Sequence, residues 1–190
     1  MVAHNEEGFR DKLGKFFDFV FGPDMKCVPS FWYDYDLGLL TIDETAAEVA
    51  KFRDCDAATA KAHMLQAIAL QEEVEPTVEL IKELKAKGYK VYVLSNMSKE
   101  YIEFLRKLPV FDLFDKQVVS CEIHLGKPDR RIYEYLLDYC ALDPAETIFI
   151  DDRKDNVDAA AELGIIPFHF DRRKPSWACD ELRKVIYEGK

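Results

Sequence analysis

The sequence lacks an apolar run long enough to cross a bilayer, and residues 1–7 lack the basic and apolar regions of a signal peptide. It also lacks a basic excess: the formal net charge is −10, which argues against nucleic acid and anionic membrane surfaces as partners. The five cysteines are odd in number and have no Cys-x-x-Cys spacing, so we expect reduced thiols and no zinc site. Together these absences predict a cytoplasmic protein.

The composition allows one large domain, or a core with a smaller companion. The chain has 190 residues, and 48% of them are hydrophobic. From Glu6 to Glu73 the pattern is helical and predicts no strand. After Pro76, strands alternate with helices, which predicts a doubly wound parallel sheet with right-handed crossovers. The predicted strands span residues 91–94, 117–120, 147–150 and 165–170.

Three helices are predicted in the first part of the chain. An apolar stripe runs from Phe9 to Val20 and ends at a Gly-Pro pair. Thr41 followed by Glu44 is typical of a capping box, and the helix that it begins runs to about Phe52. A third helix is expected over about Ala57–Gln71.

An aromatic stretch from Met25 to Leu40 is predicted to be irregular. Its aromatic residues could line a substrate pocket, or they could pin a loop onto the helices, and we favour the second interpretation. The residues concerned are Phe31, Trp32, Tyr33 and Tyr35.

Polar residues follow the ends of the predicted strands in the second part of the chain. Ser95 follows one apolar strand, Lys127 lies in a loop before Pro128, and Asp151 and Asp152 end another strand. Ligands bind at the carboxyl ends of the strands in open α/β sheets. Two adjacent carboxylates repel each other unless a cation such as Mg²⁺ lies between them. A hydroxyl, a lysine and a metal site at one edge suit a phosphoryl group.

Each of these residues also has an ordinary structural explanation. Asp152 could cap the following helix while Asp151 is solvated. Ser95 could be a helix cap, and Lys127 could be a surface charge. Their joint order along the chain favours the functional interpretation.

Three runs of residues resemble the second, third and fourth motifs of the haloacid dehalogenase (HAD) superfamily. They are Leu94-Ser95-Asn96, then Leu125-Gly126-Lys127-Pro128-Asp129, then Phe149-Ile150-Asp151-Asp152 with Asn156. The resemblance covers roughly residues 74–170. It implies an α/β, Rossmann-like parallel sheet with helices on both faces at residues 75–190, and an all-helical, C1-type cap at residues 1–74.

The resemblance also implies roles for the site residues. Ser95 and Asn96 would bind the substrate phosphate. Lys127 would hold the phosphate and neutralise the nucleophile. Asp151 and Asp152 would serve Mg²⁺, with Asp152 the stronger candidate ligand. Asn156 would support the site or the helix.

The same resemblance distinguishes phosphatase activity from dehalogenase activity. Dehalogenases of the superfamily carry Ser-Asn in place of the acidic pair and need no metal, so Asp151-Asp152 favours a Mg²⁺-dependent phosphatase. The helical cap implies a small phosphorylated metabolite, such as a sugar phosphate. A 2-haloacid dehalogenase is a less favoured alternative. No histidine is expected to be catalytic, although His124, nearest to Lys127, is in a position to touch the site.

The first motif of the family, an apolar strand ending in Asp-x-Asp, is missing. Its first Asp is the nucleophile, which forms an aspartyl-phosphate, and its second is the general acid/base. The chain begins Met-Val-Ala-His-Asn instead. Asp34-Tyr35-Asp36 copies the spacing, but no apolar strand precedes it, so we do not expect it to be the nucleophile. The missing strand would lie between residues 91–94 and 148–150, and its loss would leave two apolar edges unpaired.

Three hypotheses remain open. The favoured one is a truncated reading of a phosphatase gene, with the nucleophile upstream of Met1. The second is a natural, non-catalytic protein that binds phosphate or metal or serves in an interaction. In the third, a partner chain supplies the strand. Substrate identity and oligomeric state are not predicted.

Overall fold

The computed structural model of the chain describes residues 2–4, 29–53 and 55–189. The predicted helix from Phe9 to Val20 lies outside these residues. The strands are β1 (Val2–His4), β2 (Gln71–Glu73), β3 (Tyr92–Ser95), β4 (Lys116–Val119), β5 (Ile148–Asp151) and β6 (Ile166–His169). The helices are α1 (Ser30–Asp36), α2 (Ile42–Arg53), α3 (Ala57–Ala69), α4 (Glu75–Ala86), α5 (Lys99–Leu105), α6 (Ser120–Ile123), α7 (Arg130–Cys140), α8 (Lys154–Ala161) and α9 (Pro175–Glu188).

Parallel strand pairs form the centre of the α/β part. β3 pairs with β4 and β5 pairs with β6, both in parallel. The strands carry apolar residues on both faces, because helices cover both sides. Tyr92, Leu94 and Phe149 pack with the cluster of α7 and α8, whereas Val91 and Ile150 pack towards α4 and α9. The predicted α/β class, with helices on both faces and a helical part beside it, is confirmed.

Two short segments differ from the sequence prediction, and a third difference, the helix α1, is described below. Residues 71–73, expected to be helical, form β2 and pair antiparallel with β1, so the strand-free region predicted up to Glu73 is wrong. Ser120, expected at the end of a strand, begins the short helix α6. Both segments are three or four residues long, too short for a periodicity to identify.

The capping box at the start of α2 is confirmed. The Glu44 N–H donates to Thr41 Oγ1 at 3.2 Å, and the Thr41 N–H donates to Glu44 Oε2 at 2.8 Å. These reciprocal bonds satisfy main-chain donors that the first turn of a helix leaves free. They explain why the start of α2 is readable from the sequence.

The aromatic stretch predicted to be irregular contains α1. Trp32 and Tyr35 are buried and meet edge to face, with ring centroids 5.7 Å apart. Both rings belong to one buried cluster with α2 and α3. Their spacing of three residues places them on one face of the helix. The stretch was predicted to be irregular because it is rich in aromatic residues, whereas it contains a short helix that this packing stabilises.

The carboxyl end of α1 is fastened to the α/β part. Ser120 Oγ donates to the carbonyl of Asp36, and a ring nitrogen of His124 lies 2.7 Å from the carbonyl of Leu37. Gly38 has a φ of +70°, and a Cβ there would lie 2.6 Å from the carbonyl oxygen of Cys121. His124 therefore contacts α1, and it does not line the cavity described below. No helix in the described ranges is long and apolar enough to span a membrane.

The carboxyl group of Asp36 gives a testable pH dependence. Desolvation raises its pKa to about 7. The pKa of an unfolded Asp is about 3.9, so between about pH 4 and pH 7 the unfolded state loses its proton first. Stability is therefore highest below pH 4 as far as this group is concerned, and it falls as the pH rises to about 7.

We expect Asp36→Asn to remove this loss. In urea unfolding, the variant should gain on the order of 2 kcal/mol over the wild type at pH 8 relative to pH 5. Asp34→Asn, which removes another carboxylate from the same helix, is the matched control. An Asp36→Asn profile parallel to that of the wild type would show that this carboxyl is not desolvated.

Candidate functional site

The predicted site residues converge at the carboxyl ends of β3 and β5. Ser95, Lys127, Asp151 and Asp152 line one cavity of about 300 Å³. Ser95 ends β3 and Asp151 ends β5, while Lys127 comes from the loop between α6 and α7. The strands bring together side chains that are up to 57 positions apart in the sequence. The cavity is otherwise lined mainly by apolar side chains, which strengthens electrostatic interactions within it.

Lys127 is held by three parts of the chain. Its Nζ donates to the carbonyl of Leu94 at 2.9 Å and to Asp151 Oδ2 at 2.6 Å. Only 9% of its side chain is exposed. Its main chain exchanges two bonds with the amide of Asn96, at 2.8 Å and 2.7 Å. The ordinary alternative for Lys127, a surface charge, is therefore wrong.

Asn96 takes a different position from the one implied by the resemblance. Its side-chain amide donates one N–H to the carbonyl of Lys127 and accepts the main-chain N–H of Lys127, so it fixes the loop that carries the lysine. The side chain of Asn96 is thus a positioning group in this geometry.

Asp151 is a buried acceptor with several donors. Besides Lys127, it accepts the main-chain N–H of Arg153 at 2.8 Å and Asn156 Nδ2 at 3.1 Å, both through Oδ1. The carbonyl of Asn156 in turn accepts the Tyr133 hydroxyl at 2.8 Å. Asn156 therefore supports the site by orienting Asp151. The interpretation of Asp151 as a solvated carboxylate is wrong, since its side chain is 8% exposed.

Asp152 makes fewer interactions than Asp151. It does not cap α8, whose N-cap is Arg153 and has no side-chain cap, so that alternative is wrong too. Its side chain is 34% exposed, and its ion pair with Arg172 is 3.4 Å long and lies at the surface. Such a pair is weak in water. Asp152 can accordingly turn to a cation without breaking a buried bond.

These donors fit Mg²⁺ better than they fit a transition metal. Among the described residues, no three or more His, Cys, Asp or Glu side chains cluster around a metal-sized site. Mg²⁺ is commonly held by one or two carboxylates, with water and substrate phosphate completing six ligands. Asp152 can supply such a carboxylate, and Asp151 lies beside it. The buried Asn156 Oδ1 has no described partner, which leaves one further oxygen near Asp151 unsatisfied.

An anion could be received on the other side of the cavity. The Ser95 hydroxyl lines the cavity, and the N-cap of α5 is Ser98, so capping does not account for Ser95. Lys127 has three N–H donors, and two of them are used. Asp34 and Asp36 lie on α1, and neither of them lines the cavity.

Sequence reasoning missed one contact that positions the Lys127 loop. The Tyr33 hydroxyl of α1 lies 3.3 Å from the carbonyl oxygen of Gly126, to which it donates. A Cβ at residue 126 would lie 2.9 Å from the same hydroxyl. The glycine before Lys127 therefore lets α1 approach the loop. A glycine beside a candidate site residue was the available signal.

The α/β fold thus places Ser95, Lys127, Asp151 and Asp152 around one cavity at its strand ends, an arrangement whose donors and carboxylates can bind an anion and a cation. The family model for haloacid dehalogenase-like hydrolases matches residues 27–164, and the chain belongs to this family.

Relatives and solved structures agree with this assignment. The chain is 35% identical over 108 residues to a sesquiterpene phosphatase of Aspergillus oryzae, covering 56% of this chain and 54% of that protein. It is 34% identical over 101 residues to a glyceraldehyde 3-phosphate phosphatase of Methanocaldococcus jannaschii, covering 52% and 44%. The chain thus spans about half the length of these curated relatives.

A HAD family enzyme of Bacteroides thetaiotaomicron has a similar fold. Its structure matches with a TM-score of 0.70 and 23% identity, over 90% of this chain and 88% of that one. That enzyme was also solved in complex with magnesium and inorganic phosphate.

The ion pair between Lys127 and Asp151 gives a stability prediction. Lys127→Met would leave a buried carboxylate without its cation, at a cost of about 3 kcal/mol in urea unfolding. Adding Asp151→Asn should restore part of this loss, because the remaining polar group is then neutral. If the losses of stability in the single variants Lys127→Met and Asp151→Asn simply added in the double variant, the two groups would not interact.

Proposed function

We propose that the protein is a Mg²⁺-dependent phosphatase that hydrolyses a small phosphorylated metabolite. The observation that carries this proposal is the convergence of Ser95, Lys127 and Asp152 on one cavity. A hydroxyl and an ammonium group suit the phosphate oxygens, and a carboxylate suits the metal. Mg²⁺, when bound, would supply charge neutralisation and orientation of the phosphoryl group.

We propose that one side of the cavity binds the phosphate and the other side binds the metal. Ser95 and the main-chain N–H of Asn96 would hold the phosphate, and the free proton of Lys127 would point to the same anion. Asp152 would hold Mg²⁺, while Asp151 keeps Lys127 in place and stays close to the metal. Asn156 would keep Asp151 oriented.

The nucleophile would come from outside the described residues. Of the residues that line the cavity, only Asp151 and Asp152 carry carboxylates. Asp151 already accepts three hydrogen bonds, which makes it a poor nucleophile. We propose that an Asp carboxylate delivered to the open side of the cavity attacks phosphorus. The attack would form an aspartyl-phosphate as the ester P–O bond breaks, and the leaving oxygen would take up a proton and depart as the substrate's alcohol. Water would then hydrolyse the aspartyl-phosphate, which releases inorganic phosphate and restores the carboxylate.

The substrate class follows from size and charge. The hydroxyl of Ser95 and the ammonium group of Lys127, both of which line the cavity, suit an anionic group on the substrate. The helical part packs against the loop that carries Lys127, so it can limit what enters. Two relatives are named as phosphatases of small substrates, which supports a small phosphorylated metabolite such as a sugar phosphate.

A second candidate is a non-catalytic protein that binds phosphate or Mg²⁺. The observation that favours it is the absence of a free carboxylate nucleophile among the described residues that line the cavity. Dehalogenase chemistry is less favoured, because it needs no metal and would leave Asp152 without a role.

The decisive experiment measures metal binding and turnover separately. Calorimetry should show Mg²⁺ binding, and Asp152→Asn should weaken it at least tenfold with no loss of fold, since Asp152 is at the rim. Asp155→Asn, which removes a neighbouring acid paired with Arg153, is the matched control and should bind Mg²⁺ normally.

Phosphate release from sugar phosphates with and without Mg²⁺ then separates the two candidates. Turnover that is lost in Asp152→Asn supports the phosphatase. Mg²⁺ binding without turnover supports the non-catalytic protein. Mg²⁺ affinity that does not depend on Asp152 would contradict both.

A further inference from the structure

The loop after β6 is fixed at the same edge of the sheet as the cavity. β6 pairs with β5 so that His169 lies opposite Asp151, and the N–H of Phe170 donates to the carbonyl of Asp151 at 2.9 Å. The side chain of Phe170 is buried. The carboxyl ends of parallel strands carry the ligand sites of open α/β sheets. The residues that directly follow Phe170 are therefore beside the candidate site.

Arg172 of this loop reaches the candidate metal ligand. A ring nitrogen of His169 lies 3.0 Å from the carbonyl of Asp152. The carboxylate of Asp171 accepts the main-chain N–H of Arg173 at 3.0 Å. These contacts hold the loop on both sides of Arg172, whose Nη1 lies 3.4 Å from Asp152 Oδ2.

The pair between Arg172 and Asp152 differs from the buried pair next to it. The ammonium group of Lys127 lies 2.6 Å from Asp151, and both side chains are more than nine-tenths buried. Arg172 is 62% exposed, and its contact is longer. An exposed pair of this length is weak. Two cations on one carboxylate repel each other, so Mg²⁺ on Asp152 would loosen its pair with Arg172.

The charge of the cavity leaves room for a further cation. Among the described residues that line it, Lys127 is the only cation, whereas Asp151 and Asp152 are both carboxylates. Lys127 already neutralises Asp151. A phosphate monoester carries close to two negative charges at neutral pH. Mg²⁺ on Asp152 would leave about one positive charge to meet it, so another cation at the rim would favour binding of the phosphate.

The guanidinium group of Arg172 is suited to this role. A guanidinium group has five N–H donors in a planar fork, and it can bind two phosphate oxygens at once. Arg153, which follows the acidic pair, is held by Asp155 through two bonds of 3.2 Å and 2.6 Å. The longer, exposed pair of Arg172 is easier to break than this one.

We propose that Arg172 is a further phosphate-binding residue, held by Asp152 in the metal-free chain and released to the substrate when Asp152 binds Mg²⁺. This inference rests on the proposed function, because it needs Mg²⁺ at Asp152 and a phosphate beside Lys127. It adds that one arginine opposes binding of the metal and favours binding of the anion. Removal of its charge should therefore change the two affinities in opposite directions.

Calorimetry on the full chain tests both effects. The first titration uses MgCl₂ alone, and the second uses inorganic phosphate at saturating Mg²⁺. Arg172→Gln should bind Mg²⁺ about three- to tenfold more tightly than the wild type, because a competing charge is gone. It should bind phosphate at least about threefold more weakly, because a donor pair is gone. A variant with a damaged fold would lose both affinities, so the opposite signs are the distinguishing result.

Two further variants serve as controls. Arg173→Gln removes the same charge from the same loop, where Arg173 forms a pair of 3.4 Å with Asp171, and it should leave both affinities at their wild-type values. Arg172→Lys keeps the charge without the planar fork. It should keep the Mg²⁺ affinity of the wild type and bind phosphate more weakly. Arg172→Lys that binds Mg²⁺ as tightly as Arg172→Gln would overturn the competition between charges.

The remaining outcomes separate this inference from the proposed function. Wild-type Mg²⁺ affinity in Arg172→Gln would overturn the competition for Asp152, and wild-type phosphate affinity would overturn the role in anion binding. Asp152→Asn is titrated in parallel. If Asp152→Asn weakens Mg²⁺ binding while Arg172→Gln behaves as the wild type, this inference alone fails. If Mg²⁺ affinity does not depend on Asp152, the proposed function fails, and this inference fails with it.

Discussion

The bond between Lys127 and Asp151 is the contact on which the rest of the site depends. It ties the loop after α6 to the end of β5, and the bond from the same ammonium group to Leu94 adds the end of β3. A buried carboxylate is tolerated only with a cation and further donors, which here are Lys127, Arg153 and Asn156. Because Asp151 is satisfied in this way, Asp152 remains the carboxylate that is available to a metal.

The loop that carries Lys127 also connects the site to the helical part. The Lys127 loop is held from one side by the amide of Asn96 and from the other by Tyr33 of α1. Gly126 leaves the room for that tyrosine. A movement of α1 would therefore also change the position of the loop that carries Lys127. The cavity between the ends of β3 and β5 opens beside this group.

Much of this arrangement could be predicted from the sequence, for physical reasons. Apolar runs followed by Ser95 and by Asp151 marked the strand ends, and Thr41 with Glu44 marked a helix start, because local chemistry determines these features. The helix α1 could not be predicted, since its stability comes from packing Trp32 and Tyr35 against other helices. The role of Asn96 was also missed, because it depends on a loop 31 residues away. β2 escaped prediction for the same reason: only its pairing with β1 defines it.

We propose that Ser95, Lys127 and Asp152 together bind one phosphate and one divalent cation. Crystals grown with Mn²⁺ and inorganic phosphate, with data collected at the manganese edge, test it most directly. We expect a single anomalous peak at coordination distance, about 2.1 Å, from an Asp152 oxygen. We also expect a phosphate within hydrogen-bond reach of Ser95 Oγ and Lys127 Nζ. A metal peak remote from Asp152, or a phosphate bound elsewhere, would contradict it.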